Sequence, residues 1–178
     1  MDYNDTLLSL KEGLTLEGLD CVIQSVDDLQ ETSLLIYSGT DHAKRDRLIR
    51  IKTQAKIKSD IVANQPEEKL TSFQLDAFFP FIVEDLAMME IAQFLHFLNL
   101  QIEIPGFYLN YVDNTILYRY VLLSQGEHIP QKIIMALVGI VMLFQDVFGQ
   151  VFERLAKGEV SFANIMQEVS DILAQVKP

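Results

Sequence analysis

His42, His96 and His128 are the side chains best suited to hold a metal or move a proton, and they fall in three separate stretches. None lies on a predicted helix with a second His, a Cys or a carboxylate three or four residues away, the spacing of a helical metal site. Glu90 and Gln93 share a flank with His96, an arrangement that solvated helix surfaces show without a metal. Cys21 is the one cysteine. It sits in a strand-like run and reads as a small buried hydrophobe, since a nucleophilic role needs a His beside it. The eight glycines are dispersed, and Gly13 and Gly18 lack the Gly-Lys-Ser/Thr that completes a phosphate loop. Acidic pairs such as Asp27-Asp28 and Glu84-Asp85 are ordinary solvated decoration. No catalytic, cofactor-binding or metal-binding residue is therefore expected.

Basic residues give a sharper signal. Asp41 to Arg47 concentrates charge between two predicted strands. It reads as a hairpin loop with mutually compensated charges, or as a small basic patch for an acidic or phosphorylated partner. Arg50, Lys52, Lys56 and Lys58 then alternate with Ile49, Ile51, Thr53, Ala55 and Ile57, so a strand here has one buried and one wet, basic face. These four residues are the candidate partner surface. Tyr118-Arg119-Tyr120 resembles a base-stacking motif, but alternation sends both tyrosines to the core face. Arg119 then lies on the other face, within reach of Tyr108.

The elements that must position these residues belong to a chain of 178 residues, 49% hydrophobic and 22% charged, with net charge −11 and pI near 4.6. That length can bury a real core and suits one domain, residues 1–178. Strong acidity argues against nucleic-acid binding, which draws its affinity from clustered Lys and Arg. The longest uninterrupted apolar run, Ile133 to Phe144, is well short of the roughly 20 residues of a membrane span. The acidic start, Met1 to Asp5, is unlike a secretory signal. A cytoplasmic protein without membrane insertion is the expectation.

Asp5 can cap a first helix carrying Leu7, Leu8 and Leu10, which Gly13 would end. Asp20 to Val26 and Ser33 to Tyr37 read as strands joined through residues 27–31, and Ile49 to Lys58 as a third. Asn64 to Glu68 reads as an exposed connection. Val83 to Leu100 reads as a helix with Ala87, Met88, Ile91, Phe94, Leu95 and Leu98 on one apolar face. Leu86, Met89, Phe97 and Leu100 form a second stripe, a candidate homodimer interface, since each large apolar side chain left in water forgoes roughly 1.5–3 kcal/mol. The alternative cover is intramolecular, a last helix capped by Ser161 and spanning about 161–176. A hairpin turning at Asp113-Asn114 would place Phe107, Leu109 and Tyr111 with Ile116, Tyr118 and Tyr120. Pro130 and Gly158 bracket a long helix interrupted by Gly139 and Gly149.

This order of elements resembles the type III secretion chaperones and the related YbjN-like bacterial proteins. The resemblance runs from Leu7 to Leu155. It is carried most by Met88 to Asn99 and by the hairpin from Gly106-Phe107-Tyr108-Leu109 through Tyr118-Arg119-Tyr120-Val121. It implies an α+β fold, an antiparallel sheet flanked by helices, with a core over about 7–157; the extra C-terminal helix from Ser161 departs from the family. It also implies dimerisation and binding of an extended partner segment along the sheet and helices. The expected function is a non-enzymatic protein-binding module of chaperone or adaptor type, needing no cofactor. The competing expectation is a small enzyme or ligand-binding protein with an apolar pocket between helix and sheet.

Overall fold

The structure, a computed structural model, describes residues 3–26, 31–58, 69–125 and 130–176. Its elements are α1 (Tyr3–Leu16), β1 (Asp20–Val26), β2 (Glu31–Thr40), β3 (Asp46–Lys58) and β4 (Lys69–Ile82). There follow α2 (Met88–Gln101), β5 (Phe107–Asn110), β6 (Thr115–Gln125), α3 (Gln131–Ala156) and α4 (Phe162–Val176). Among the described residues the six strands make one antiparallel sheet, ordered β1-β2-β3-β4-β6-β5. The fold is α+β, with the extra C-terminal helix. The expected connections at 27–30 and Asn64 to Glu68, and His128, lie outside the described residues. Internal contacts divide the chain into two compact units, one of residues Met1–Phe78 and Tyr118–Leu143, the other of Phe79–Leu117 and Phe144–Pro178.

In the first unit, strand register separates a core face from an outer face. Cys21, Ile36, Ile49 and Ala77 form one cross-strand row, and Ile23, Leu34, Ile51 and Leu75 the next. Leu34, Ile36, Ile49, Ile51, Leu75 and Ala77 are all buried. Helix α1 contacts β1 and β2 and buries Leu7, Leu10 and Leu14, which recur at helical spacing on one side. The intervening residues Leu48, Arg50 and Lys52 of β3 and Ser72, Gln74 and Asp76 of β4 point to the outer face.

Three expectations change here. Helix α1 runs through Gly13 and ends at Gly18, whose φ of +87° suits a left-handed cap. Gly18 N–H donates to Thr15 O at 3.0 Å and Leu19 N–H to Leu14 O at 3.1 Å, the paired bonds of a Schellman ending. Gly13 instead serves packing, because a Cβ there would overlap the Gln131 side-chain amide. Strand β4 has no counterpart in the expected order, which passed from Lys58 to Pro80 without one. The third change is a register shift in β3 between Gln54 and Ile57, which interrupts the strict alternation.

An aromatic cluster holds the second unit. Phe152 has ring centroids of Phe79, Phe94, Phe107 and Phe148 at 4.9, 5.6, 5.3 and 6.0 Å. Helix α2 buries Ile91, Phe94, Leu95 and Leu98, as its apolar period requires. Asn99 fastens its last turn to β5: its Oδ1 accepts from Gly106 and Phe107 N–H at 3.1 and 3.0 Å, and its Nδ2 donates to Phe107 O at 2.9 Å. The β5–β6 loop is four residues, Tyr111 to Asn114, so Tyr111 is exposed rather than part of the aromatic face. Asn114 does take the left-handed backbone expected of it, at φ +55°.

Helix α3 is continuous through Gly139 and Gly149. Counting only uninterrupted apolar residues understated it. It is the one described helix long and apolar enough to cross a membrane, and Gln145 and Glu153 on it are buried in protein. Gly158 ends it at φ +65°, with Gly158 N–H on Leu155 O and Glu159 N–H on Arg154 O. Ser161 caps α4, its Oγ accepting from Asn164 N–H at 3.2 Å while Asn164 Oδ1 takes Ser161 N–H at 3.1 Å. Replacing Ser161 by Ala is expected to cost about 1 kcal/mol. Faster amide exchange in the first turn of α4 would report it.

Candidate functional site

At the centre of the outer face of the first unit, one carboxylate gathers two arginines. Register places Val22, Leu35, Arg50 and Asp76 in a single row across β1 to β4. Asp76 is fully buried. Arg119, reaching over from β6, donates Nε to Asp76 Oδ1 at 2.6 Å and Nη2 to Oδ2 at 3.3 Å. Arg50 Nη2 donates to Oδ2 at 3.0 Å, and Gln74 Nε2 to the same oxygen at 2.8 Å. The Arg50 guanidinium lies 5.0 Å from the centroid of the Phe78 ring, which fixes its plane.

Burial pushes the Asp76 carboxyl up, and hydrogen bonds from Arg119, Gln74 and Arg50 more than reverse this, leaving it below its ordinary value. Such a carboxylate, already accepting four hydrogen bonds, is a poor general base. The side chains of Arg50 and Arg119 remain 30% and 41% exposed, so the cluster presents two oriented guanidinium groups around one buried negative charge. It can recognise an anionic group. The same face carries exposed apolar side chains, Val22, Tyr37 and Leu48, with Val121 and Leu123 on the side of Arg119 by alternation, while the adjoining row of Gln24, Ser33, Lys52 and Gln74 is polar.

Of the four basic residues expected to form a partner surface, Arg50 joins this cluster and Lys52 pairs in register with Gln74 beside it. Lys56 lies within the register shift and Lys58 beyond it, and their side chains lie outside the described part. Asp41 organises its own loop, accepting Ala43 and Arg45 N–H at 2.9 Å each and the Arg45 guanidinium at 2.6 Å. Its carboxyl is lowered: slight burial raises it, and the Arg45 N–H and guanidinium outweigh that. Arg47 is buried, donating Nη2 to Ser38 O at 3.2 Å. Within this hairpin loop Asp41 and Arg45 thus compensate each other's charge. Cys21 is buried, and burial followed by the Asp20 charge raises its thiol, in keeping with a packing role.

Arg119, expected on the wet face of its strand, pairs with Asp76. Sequence reasoning missed Asp76 because it missed β4, although Phe73, Leu75, Ala77 and Phe79 alternate there with Gln74, Asp76 and Phe78. The helix expected from Val83 begins only at Met88, after a 3-10 turn over Asp85–Ala87, and of its second stripe Leu86 in that turn and Met89 and Leu100 on α2 are exposed. Phe97 instead lies 6.2 Å from Phe162 of α4, and Phe162 N–H donates to Glu90 at 2.5 Å, so the last helix covers part of the stripe. A groove of about 500 Å³ runs along α1, lined by Leu8, Lys11, Glu12, Thr15 and Leu16.

These features define an α+β protein whose sheet carries an oriented Arg–Asp–Arg cluster on a face shared with exposed apolar side chains. No protein-family model, curated protein or solved structure matches the chain.

Proposed function

We propose that this chain is a non-enzymatic protein-binding module of chaperone or adaptor type. It takes an extended, apolar segment with acidic side chains on the outer sheet face of its first unit. The observation that carries this reading is the grouping of exposed Val22, Tyr37, Leu48, Val121 and Leu123 around partly exposed Arg50 and Arg119. Apolar side chains supply burial and the arginines supply orientation. β1 adds an edge, since the sheet order gives it β2 as its one neighbour among the described strands. The resemblance to type III secretion chaperones and YbjN-like proteins points the same way, because those folds bind partner segments along sheet and helices.

Selection from a random peptide library on the immobilised chain tests the reading. Enriched peptides are expected to combine apolar and acidic residues. The Leu48→Glu, Val121→Glu variant should bind them at least tenfold more weakly while keeping the parent's far-ultraviolet circular dichroism. Absence of enrichment, or equal binding by the variant, would overturn it.

A further inference from the structure

The second unit carries an apolar surface of its own, with opposite electrostatics. Leu86 is 97% exposed and Val112 94%, and Ile82, Met89 and Tyr111 are also exposed. Their segments are tied together. Val83 N–H donates to Asn114 O at 2.7 Å, and Asn114 Nδ2 donates to Asp85 Oδ1 at 3.0 Å. The β5–β6 loop and the turn entering α2 therefore form one fixed surface rather than two independent tips. Isolated exposed apolar residues are ordinary, whereas several large ones joined on one platform mark an interaction site.

Charge selects the occupant. Glu84, Asp85 and Asp113 are exposed within these same segments. From Leu70 to Tyr118 the chain contains no Lys or Arg. A second copy docking this patch on itself would set these carboxylates against their own counterparts. An anionic lipid surface meets the same repulsion. A segment bearing Lys or Arg beside apolar side chains matches both the greasy centre and the acidic border.

We infer that this surface of the second unit binds a basic amphipathic segment of a partner protein. The case is independent of the sheet face that carries Arg50 and Arg119. Leu86 and Val112 supply the apolar contact, and Glu84 and Asp113 set the sign of the partner.

The probe is a fluorescent amphipathic Leu/Lys peptide of roughly 18 residues, long enough to form a helix on binding. Its anisotropy is titrated with the full chain at low and physiological salt. Binding is expected in both, weakening as salt rises because exposed charges are screened. Leu86→Ser with Val112→Ser should weaken it at least tenfold, and Glu84→Gln with Asp113→Asn several-fold. Circular dichroism should not change, since all four side chains are exposed. Equal binding by the Leu86→Ser, Val112→Ser variant would overturn the inference, because the peptide would then be responding to net charge alone. A parent that light scattering finds dimeric, with that variant monomeric, would overturn it in favour of a second copy. Binding to neutral phosphatidylcholine vesicles that the variant loses would overturn it in favour of lipid.

Discussion

Phe152→Ala is expected to cost about 3–5 kcal/mol, the range for emptying a buried aromatic site. Phe152 is fully buried and has four rings around it, with Phe79 and Phe107 meeting it edge-on at 4.9 and 5.3 Å. Removing it deletes its own burial and leaves those rings facing a void, which packed neighbours fill only in part. Phe148 is half-buried and touches the same cluster from the side, so Phe148→Ala should cost less. The chain has no Trp, so unfolding is best followed by far-ultraviolet circular dichroism against urea. The check is the order of midpoints: parent above Phe148→Ala, and both above Phe152→Ala.

Asp76→Asn should cost about 2–3 kcal/mol at neutral pH. Breaking a buried ion pair from one side costs roughly 3–5 kcal/mol. The arginines keep partial access to water, which lowers the figure. Asn retains the shape and one acceptor, so the loss reflects charge rather than volume. The pH dependence follows from the lowered carboxyl. The folded state holds Asp76 below the 3.8 of the free side chain, so its stabilisation is complete above that value and disappears as pH falls through the folded pKa. The gap between parent and Asp76→Asn should stay constant near neutrality and close below about pH 4. Replacing Arg50 and Arg119 by Met together with Asp76→Leu should recover part of the loss, since no buried charge then lacks a partner. Urea midpoints measured across pH for the three proteins check both statements.

Periodicity made the wet and dry faces of β3 readable, because Ile49 and Ile51 alternate with Arg50 and Lys52 without interruption. The same rule would have found β4. There the polar positions hold Ser72, Gln74 and Asp76, which resemble loop residues until set against Phe73, Leu75 and Ala77. Of the three residues in the Arg–Asp–Arg cluster, Arg50 and Arg119 were therefore legible as wet-face side chains and Asp76 was not. The pairing of Arg119 with Asp76 joins residues 43 positions apart, and no local pattern encodes that. Gly13 misled because glycine inside a helix looks like an ending, whereas here it clears space for Gln131 from another part of the chain. Phe97 was readable as a residue needing cover, and Phe162 provides it.

The stretch from Leu70 to Tyr118, which lacks Lys and Arg, also sets how the chain meets proteases and chemical probes. Trypsin has no cleavage site there whether the chain is folded or unfolded, so β4, α2, β5 and the start of β6 leave a digest joined in one long fragment. Amine-directed cross-linkers likewise find no lysine on the platform of Leu86 and Val112. A partner seated there would escape lysine chemistry from this side. Carboxyl-directed coupling through Glu84, Asp85 and Asp113, or cleavage after glutamate, is the chemistry that reaches it.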